Sequence, residues 1–172
     1  MRKVLTIVYL VFLILLIFTL QMLLIDGRTI LGIKPNLILI TVIVVSLWFG
    51  LYVGSFYGLI IGIITDILFG NSIGMFTILY SVIGTLIGFF SYNYRKENKI
   101  ALVYVTVIAT AVFEFIQFII YFIISGHYNS ILYLLYQIIA TSFFNVVIVY
   151  IVYSLLYKIL SFFESRLSTY DI

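Results

Sequence analysis

The chain has 172 residues, of which 65% are hydrophobic and 9% are charged, and its formal net charge is +3. Soluble domains carry about 25% charged residues, so the composition excludes a soluble module. It predicts an all-α, polytopic transmembrane helical bundle that forms a single integral membrane domain over residues 1–172. The absence of cysteine excludes disulfides, thiolate metal sites and cysteine nucleophiles.

Apolar runs predict six membrane-spanning helices, since a helix needs about 20 apolar residues to cross a bilayer. The first run is longer than the roughly 7–15 residues of a cleaved signal-peptide core, and no small-residue cleavage site follows it, so we expect a retained span. In chain order the predicted spans are Val4–Ile25, Pro35–Phe49, Leu51–Phe69, Ile73–Tyr92, Ile100–Ile124 and Ile131–Tyr157.

A five-span chain is the alternative, because the second and third spans form one apolar run from Leu37 to Leu68. As one helix this run would be about 48 Å long, against a hydrocarbon core of about 30 Å. Its length therefore favours a break near Gly50. The distribution of Lys and Arg fits both arrangements equally well. In both arrangements the C-terminus is cytoplasmic, and so is a basic loop formed by Arg95, Lys96 and Lys99.

The last residues, 158–172, are predicted to form a short cytoplasmic tail. Apolar residues and charged residues alternate at its start. The tail is therefore expected either to continue the last helix along the inner membrane surface or to fray.

Small residues recur every four positions from Gly50 to Gly74, along the third span, with Asp66 as the one exception. Positions four apart lie on one face of a helix, and small residues let membrane helices approach closely. The pattern predicts a groove that receives another helix, from another protein or from this chain, where the fourth span also has a small-residue face (Ser81, Gly84, Thr85 and Gly88). The groove residues are Gly50, Gly54, Gly58, Gly62, Asp66, Gly70 and Gly74.

Asp66 is the one acidic residue of this stripe. A carboxylate in a membrane helix is costly and is expected to meet a polar group. Three interpretations stay open: contact with a partner helix, a lock within the chain through the following turn or Arg28, or a cap on the next helix.

A second polar pattern lies on the fifth and sixth spans, where polar residues recur three or four positions apart. Two such stripes on antiparallel neighbours predict an intramembrane seam. The seam is either a proton or substrate site or a purely structural network. Its residues are Glu114, Gln117, Gln137, Thr141 and Asn145. No catalytic triad, phosphate loop or metal-ligand pair accompanies it, so we predict no catalytic, cofactor or metal site.

In the order and spacing of these features, the chain resembles the rod shape-determining MreD family. The resemblance begins at Lys34-Pro35-Asn36-Leu37, is most specific in the spacing Gly58-x3-Gly62-x3-Asp66-x3-Gly70-x3-Gly74, and covers the whole chain. It implies a non-enzymatic scaffold of the bacterial elongation complex in the cytoplasmic membrane, without a cofactor. It also implies a fold similar to the substrate-binding subunits of energy-coupling-factor transporters.

The partners that the resemblance implies are the single-span protein MreC, the MreB filament, and RodA with its penicillin-binding transpeptidase. Our hypothesis is that the glycine groove docks the transmembrane helix of MreC, and that the basic loop lies near anionic lipid or the filament. The alternative is a transporter subunit that binds a vitamin-like molecule around Glu114. Those subunits typically present an Ala-x-x-x-Ala face on the first span, whereas Leu5 to Leu24 is almost entirely bulky.

Overall fold

The computed structural model describes residues 18–22, 35–69, 74–93, 99–125 and 130–167. These residues form helices joined by short connections, with no strand among them, which confirms the all-α prediction. A helical segment at residues 18–22 is α1. It is followed by α2 (Leu37–Phe49), α3 (Leu51–Phe69), α4 (Met75–Phe90), a 3₁₀ turn (Ser91–Asn93), α5 (Lys99–Ser125) and α6 (Ile131–Leu167).

The helices differ in their capacity to cross a membrane. Three of them, α3, α5 and α6, are long and apolar enough to do so, whereas α2 and α4 are shorter apolar helices. With 13 residues, α2 is about 20 Å long. The predicted second span is therefore helical but too short to cross the bilayer alone. At the other extreme, α6 has 37 residues and continues as a helix to Leu167, through most of the predicted tail.

The long apolar run breaks at Gly50, as the six-helix prediction requires. Gly50 has φ 84° and ψ −168°, a backbone conformation that residues with a Cβ atom rarely adopt. Its N–H donates to the Ser46 carbonyl oxygen at 3.0 Å, and its own carbonyl accepts from the Gly54 N–H at 2.9 Å. The chain therefore turns here without leaving these backbone groups unpaired.

The short helix α2 is the centre of the core. Its sequence is apolar on all faces, and a helix of this kind is stable only when surrounded. Leu39, Val42 and Ile43 have no exposed surface. Helices α3, α4, α5 and α6 all pack against α2.

Helices α3 and α4 form the closest pair in the bundle, because glycines on both let the backbones touch. A Cβ atom at Gly58 would overlap with the Tyr80 carbonyl oxygen, and one at Gly62 would overlap with Thr77 Cα. From the other side, a Cβ atom at Gly84 would overlap with the Gly54 carbonyl oxygen. Helix α4, the predicted fourth span, therefore packs against Gly54, Gly58 and Gly62 of the groove, in line with the interpretation that the groove receives a helix of this chain.

We expect Gly62→Leu to destabilise the protein strongly. Its side chain would displace the α4 backbone, and overpacking costs about 1–3 kcal/mol even where only side chains must move. The midpoint of thermal unfolding in detergent should fall by several degrees. Ile63→Leu is the matched control, since Ile63 is 43% exposed on the same helix. An unfolding midpoint of Gly62→Leu equal to that of the control would contradict the close α3–α4 contact.

Candidate functional site

A cavity of about 480 Å³ opens between the helices where α2 begins. Described residues of all six helices line it, and it falls in the size range of small-molecule sites, about 300–1,000 Å³. The polar residues that line it are Gln21, Asn36, Thr65, Glu114, Gln117, Gln137 and Thr141. Its aromatic lining residues are Phe69, Phe76, Tyr80, Phe113 and Tyr133. We refer to this space as the polar cavity.

Four of the five residues proposed for the intramembrane seam lie in the wall of the polar cavity. The Gln137 Nε2 donates to Glu114 Oε2 at 2.7 Å, and the Thr141 hydroxyl also hydrogen-bonds to Glu114. Glu114 is 6% exposed. Gln117 lines the cavity beside it. Helices α5 and α6 thus hold one carboxyl group in a fixed polar setting.

The fifth seam residue, Asn145, connects α5 and α6 to the start of α2. It is fully buried, its Nδ2 donates to Thr110 Oγ1 at 3.1 Å, and its Oδ1 accepts from the Asn36 N–H at 3.0 Å. A network across three helices is satisfied without water, as an apolar environment demands.

Asn36 is a central polar residue that the sequence analysis used only for the family resemblance. Its Oδ1 caps α2 by accepting from the Leu39 N–H at 2.8 Å. The same oxygen accepts from the Tyr80 hydroxyl at 3.2 Å. An Asn directly before an apolar helical run is a recognised N-cap signal, so this role was available from the sequence.

Gln21 was also missed. Its Oε1 accepts from the Leu37 N–H at 2.9 Å, and its Nε2 donates to the Pro35 carbonyl at 3.4 Å. The signal was a solitary amide within a long apolar run, where a polar group must find a partner. Gln21, Asn36 and Asn145 together satisfy the first N–H groups of α2, which a helix cannot satisfy internally.

Asp66 caps α4 across the turn. Its carboxylate accepts from the N–H groups of Gly74 at 3.1 Å, Phe76 at 2.9 Å and Thr77 at 3.0 Å. It also accepts from the Thr77 hydroxyl. Of the three interpretations, the cap on the next helix is the one that these contacts support. Gly74 permits the turn, with φ 95°.

The glycine stripe is not an open site. Gly54, Gly58 and Gly62 lie against neighbouring backbone or side chains with no room for even a Cβ atom, so a second protein's helix cannot reach this stripe while α4 occupies it. Gly50 forms the α2–α3 turn. Gly70 lies outside the described residues.

The basic loop is only partly described, because Arg95 and Lys96 lie outside the described residues. Lys99 begins α5, and its Nζ donates to the Tyr150 hydroxyl at 3.2 Å. The same Nζ lies 4.9 Å from the centroid of that ring, within the range of cation–π contacts. Lys99 is therefore engaged with α6.

We expect Asp66→Ala to destabilise the α3–α4 pair, since it leaves three partly buried N–H groups and one hydroxyl without their acceptor. Loss of a helix cap costs about 0.5–2 kcal/mol. Hydrogen exchange should accelerate at Phe76 and Thr77 in particular. Ser55→Ala, which removes a hydroxyl from the other end of the same contact, is the control. Unchanged protection of both amides in Asp66→Ala would refute the capping role.

Comparison with known proteins finds one match, to a family model that covers most of the chain. A family model described as rod shape-determining protein MreD matches residues 1–162. Neither a curated protein nor a solved structure matches the chain, so the likeness to energy-coupling-factor subunits stays a prediction. The family match includes every described helix apart from the last turns of α6. The chain therefore belongs to the MreD family of rod shape-determining membrane proteins.

Proposed function

We propose that this protein is a non-enzymatic membrane scaffold of the bacterial elongation complex, which supports rod shape and lateral peptidoglycan synthesis by docking the transmembrane helix of MreC. The single observation that carries the proposal is the family match over residues 1–162. The fold is compatible with it, since α2, α3 and α4 form a rigid core on which a partner could assemble.

The docking surface must lie outside the glycine groove, which α4 fills. The best remaining surface is an apolar cleft of about 440 Å³ between α4 and α5. Although α4 and α5 follow each other in the chain, they separate here rather than pack. We call this the α4–α5 cleft, and its residues are Ile83, Leu86, Ile87, Phe90, Ala101, Val105, Ile108, Ala109 and Val112.

The shape of the α4–α5 cleft suits a helix. Ala101, Val105 and Ala109 are four apart, so they share one face of α5, and small residues there allow close approach. From Ala101 to Val112 the cleft extends about 16 Å along α5. Leu86 is 51% exposed and Ile108 62% exposed, so apolar side chains stand free on both walls.

The orientation of the helices in the membrane suggests where the other partners bind. With the N-terminus inside and six helices, α4 ends and α5 begins at the cytoplasmic face, so the cleft opens in the inner half of the cytoplasmic membrane. Lys99, the first residue of α5, is two positions from Ala101 of the cleft. We propose that the basic loop faces anionic lipid or the MreB filament, while MreC links the scaffold to RodA and its transpeptidase.

We expect Val105→Trp to displace MreC by filling the α4–α5 cleft. Val107→Trp is the matched control, since Val107 is 38% exposed on α5 and does not line the cleft. MreC should co-purify with the control at the wild-type level and with Val105→Trp at a small fraction of it. Cells that carry only Val105→Trp should lose rod shape.

The result that would contradict this docking site is normal recovery of MreC with Val105→Trp. A photo-crosslinker at Ile108 then provides a separate measurement. A crosslink to MreC supports the site, whereas a crosslink to lipid alone is evidence against it.

The transporter alternative retains one supporting observation, the polar cavity around Glu114. A cavity of this size is compatible with a bound molecule but gives no indication of transport. We therefore favour the scaffold, and a ligand site in the cavity is compatible with it.

A further inference from the structure

The polar cavity contains side chains that the hydrogen-bond networks of the fold do not use. The N–H groups of Asn36, Leu37 and Leu39 are paired with side chains of the bundle. Gln117 and Tyr133, in contrast, line the cavity, and neither side chain has a hydrogen-bond partner among the residues that the structure describes. Their polar groups are therefore available to a molecule in the cavity.

Among the described residues that line the cavity, Glu114 has the single carboxyl group, and none is Lys, Arg or His. The neighbours of Glu114, Gln137 and Thr141, are neutral. A carboxylate in such a place is stabilised by an opposite charge that arrives with a ligand.

The aromatic residues that line the cavity can contact the rest of such a ligand. Tyr80 stacks on Phe113 with ring centroids 5.3 Å apart, and Phe76 stacks on both, at 6.0 Å from Tyr80 and 6.3 Å from Phe113. Aromatic side chains contact apolar groups and also attract cations. The positive end of α2 opposes a cation, but its first N–H groups are already bound within the protein.

We infer that the polar cavity is a binding site for a small organic cation, a protonated amine on a compact apolar or aromatic body. The ammonium group donates to Glu114 and Gln117, and the body lies against Phe76, Tyr80 and Phe113. The site is independent of the proposed MreC surface, since the polar cavity and the α4–α5 cleft share no lining residue.

The test uses three probes that share one ring system and differ in charge: tryptamine, the neutral alcohol tryptophol and the anion indole-3-propionate. Binding to the full-length protein in nanodiscs is measured by equilibrium dialysis. We expect tryptamine to bind at least about tenfold more tightly than the other two probes, because only its ammonium group can form a charge-assisted hydrogen bond with the Glu114 carboxylate. Equal binding of the three probes, or preference for the anion, would overturn the inference.

Tryptamine binding to three variants tests whether the probe binds in the polar cavity. Glu114→Gln keeps the shape and should reduce tryptamine affinity to that of tryptophol. Glu164→Gln makes the same chemical change near the end of α6, about 40 Å along that helix from Gln137, and should have no effect. Gln117→Trp, which occupies the cavity from a half-buried position and leaves Glu114 in place, should also abolish binding. Tryptamine binding that survives both cavity variants would refute the site.

Recovery of MreC, measured on the same samples, separates this inference from the proposed function. We expect Glu114→Gln to retain MreC, because the α4–α5 cleft is unchanged. Loss of MreC together with tryptamine would show that the cavity supports the fold or the docking surface rather than binding a cation on its own, and would count against the inference. Loss of tryptamine binding alone supports it.

Discussion

The contact between the backbones of α3 and α4 is the constraint on which the rest of the structure depends. Lipid is as apolar as the helices themselves, so membrane helices associate through close packing rather than by escaping water. Glycines at positions 54, 58 and 62 provide that packing. The contact brings the Tyr80 backbone against Gly58, and the Tyr80 hydroxyl then reaches Asn36. The placement of α4 thus fixes where α2 begins.

The start of α2 explains why this apolar bundle contains so many buried amides. A helix that begins inside a membrane protein leaves N–H groups that water cannot reach. Gln21, Asn36 and Asn145, from three different parts of the chain, accept these hydrogen bonds. The interior of the bundle is therefore polar around the start of α2, because the first N–H groups of that helix need acceptors. The polar cavity exists because these groups and Glu114 meet there without filling the space.

The sequence allowed prediction of what depends on local spacing. Run lengths predicted the helices, the excess length of the run through Gly50 predicted its break, and spacing by four identified the face of α3 that packs. Spacing also placed Glu114 and Gln137 on facing stripes of adjacent helices. Spacing also gave the fourth span as one candidate for the glycine groove, but it could not decide between that span and a helix of another protein, since a small-residue face accepts any suitable helix. Nor could the α4–α5 cleft be predicted, which results from the failure of two consecutive helices to pack.

The polar cavity and the α4–α5 cleft lie in series along the same two helices. On α4, Phe76 and Tyr80 line the cavity while Ile83 and Ile87 line the cleft. On α5 the cavity side chain Phe113 directly follows Val112 of the cleft. Between the two spaces the helices touch, since Tyr80 of α4 stacks on Phe113 of α5 with ring centroids 5.3 Å apart. Each helix therefore contributes different residues to the cavity and to the cleft, as independent binding at the two places requires.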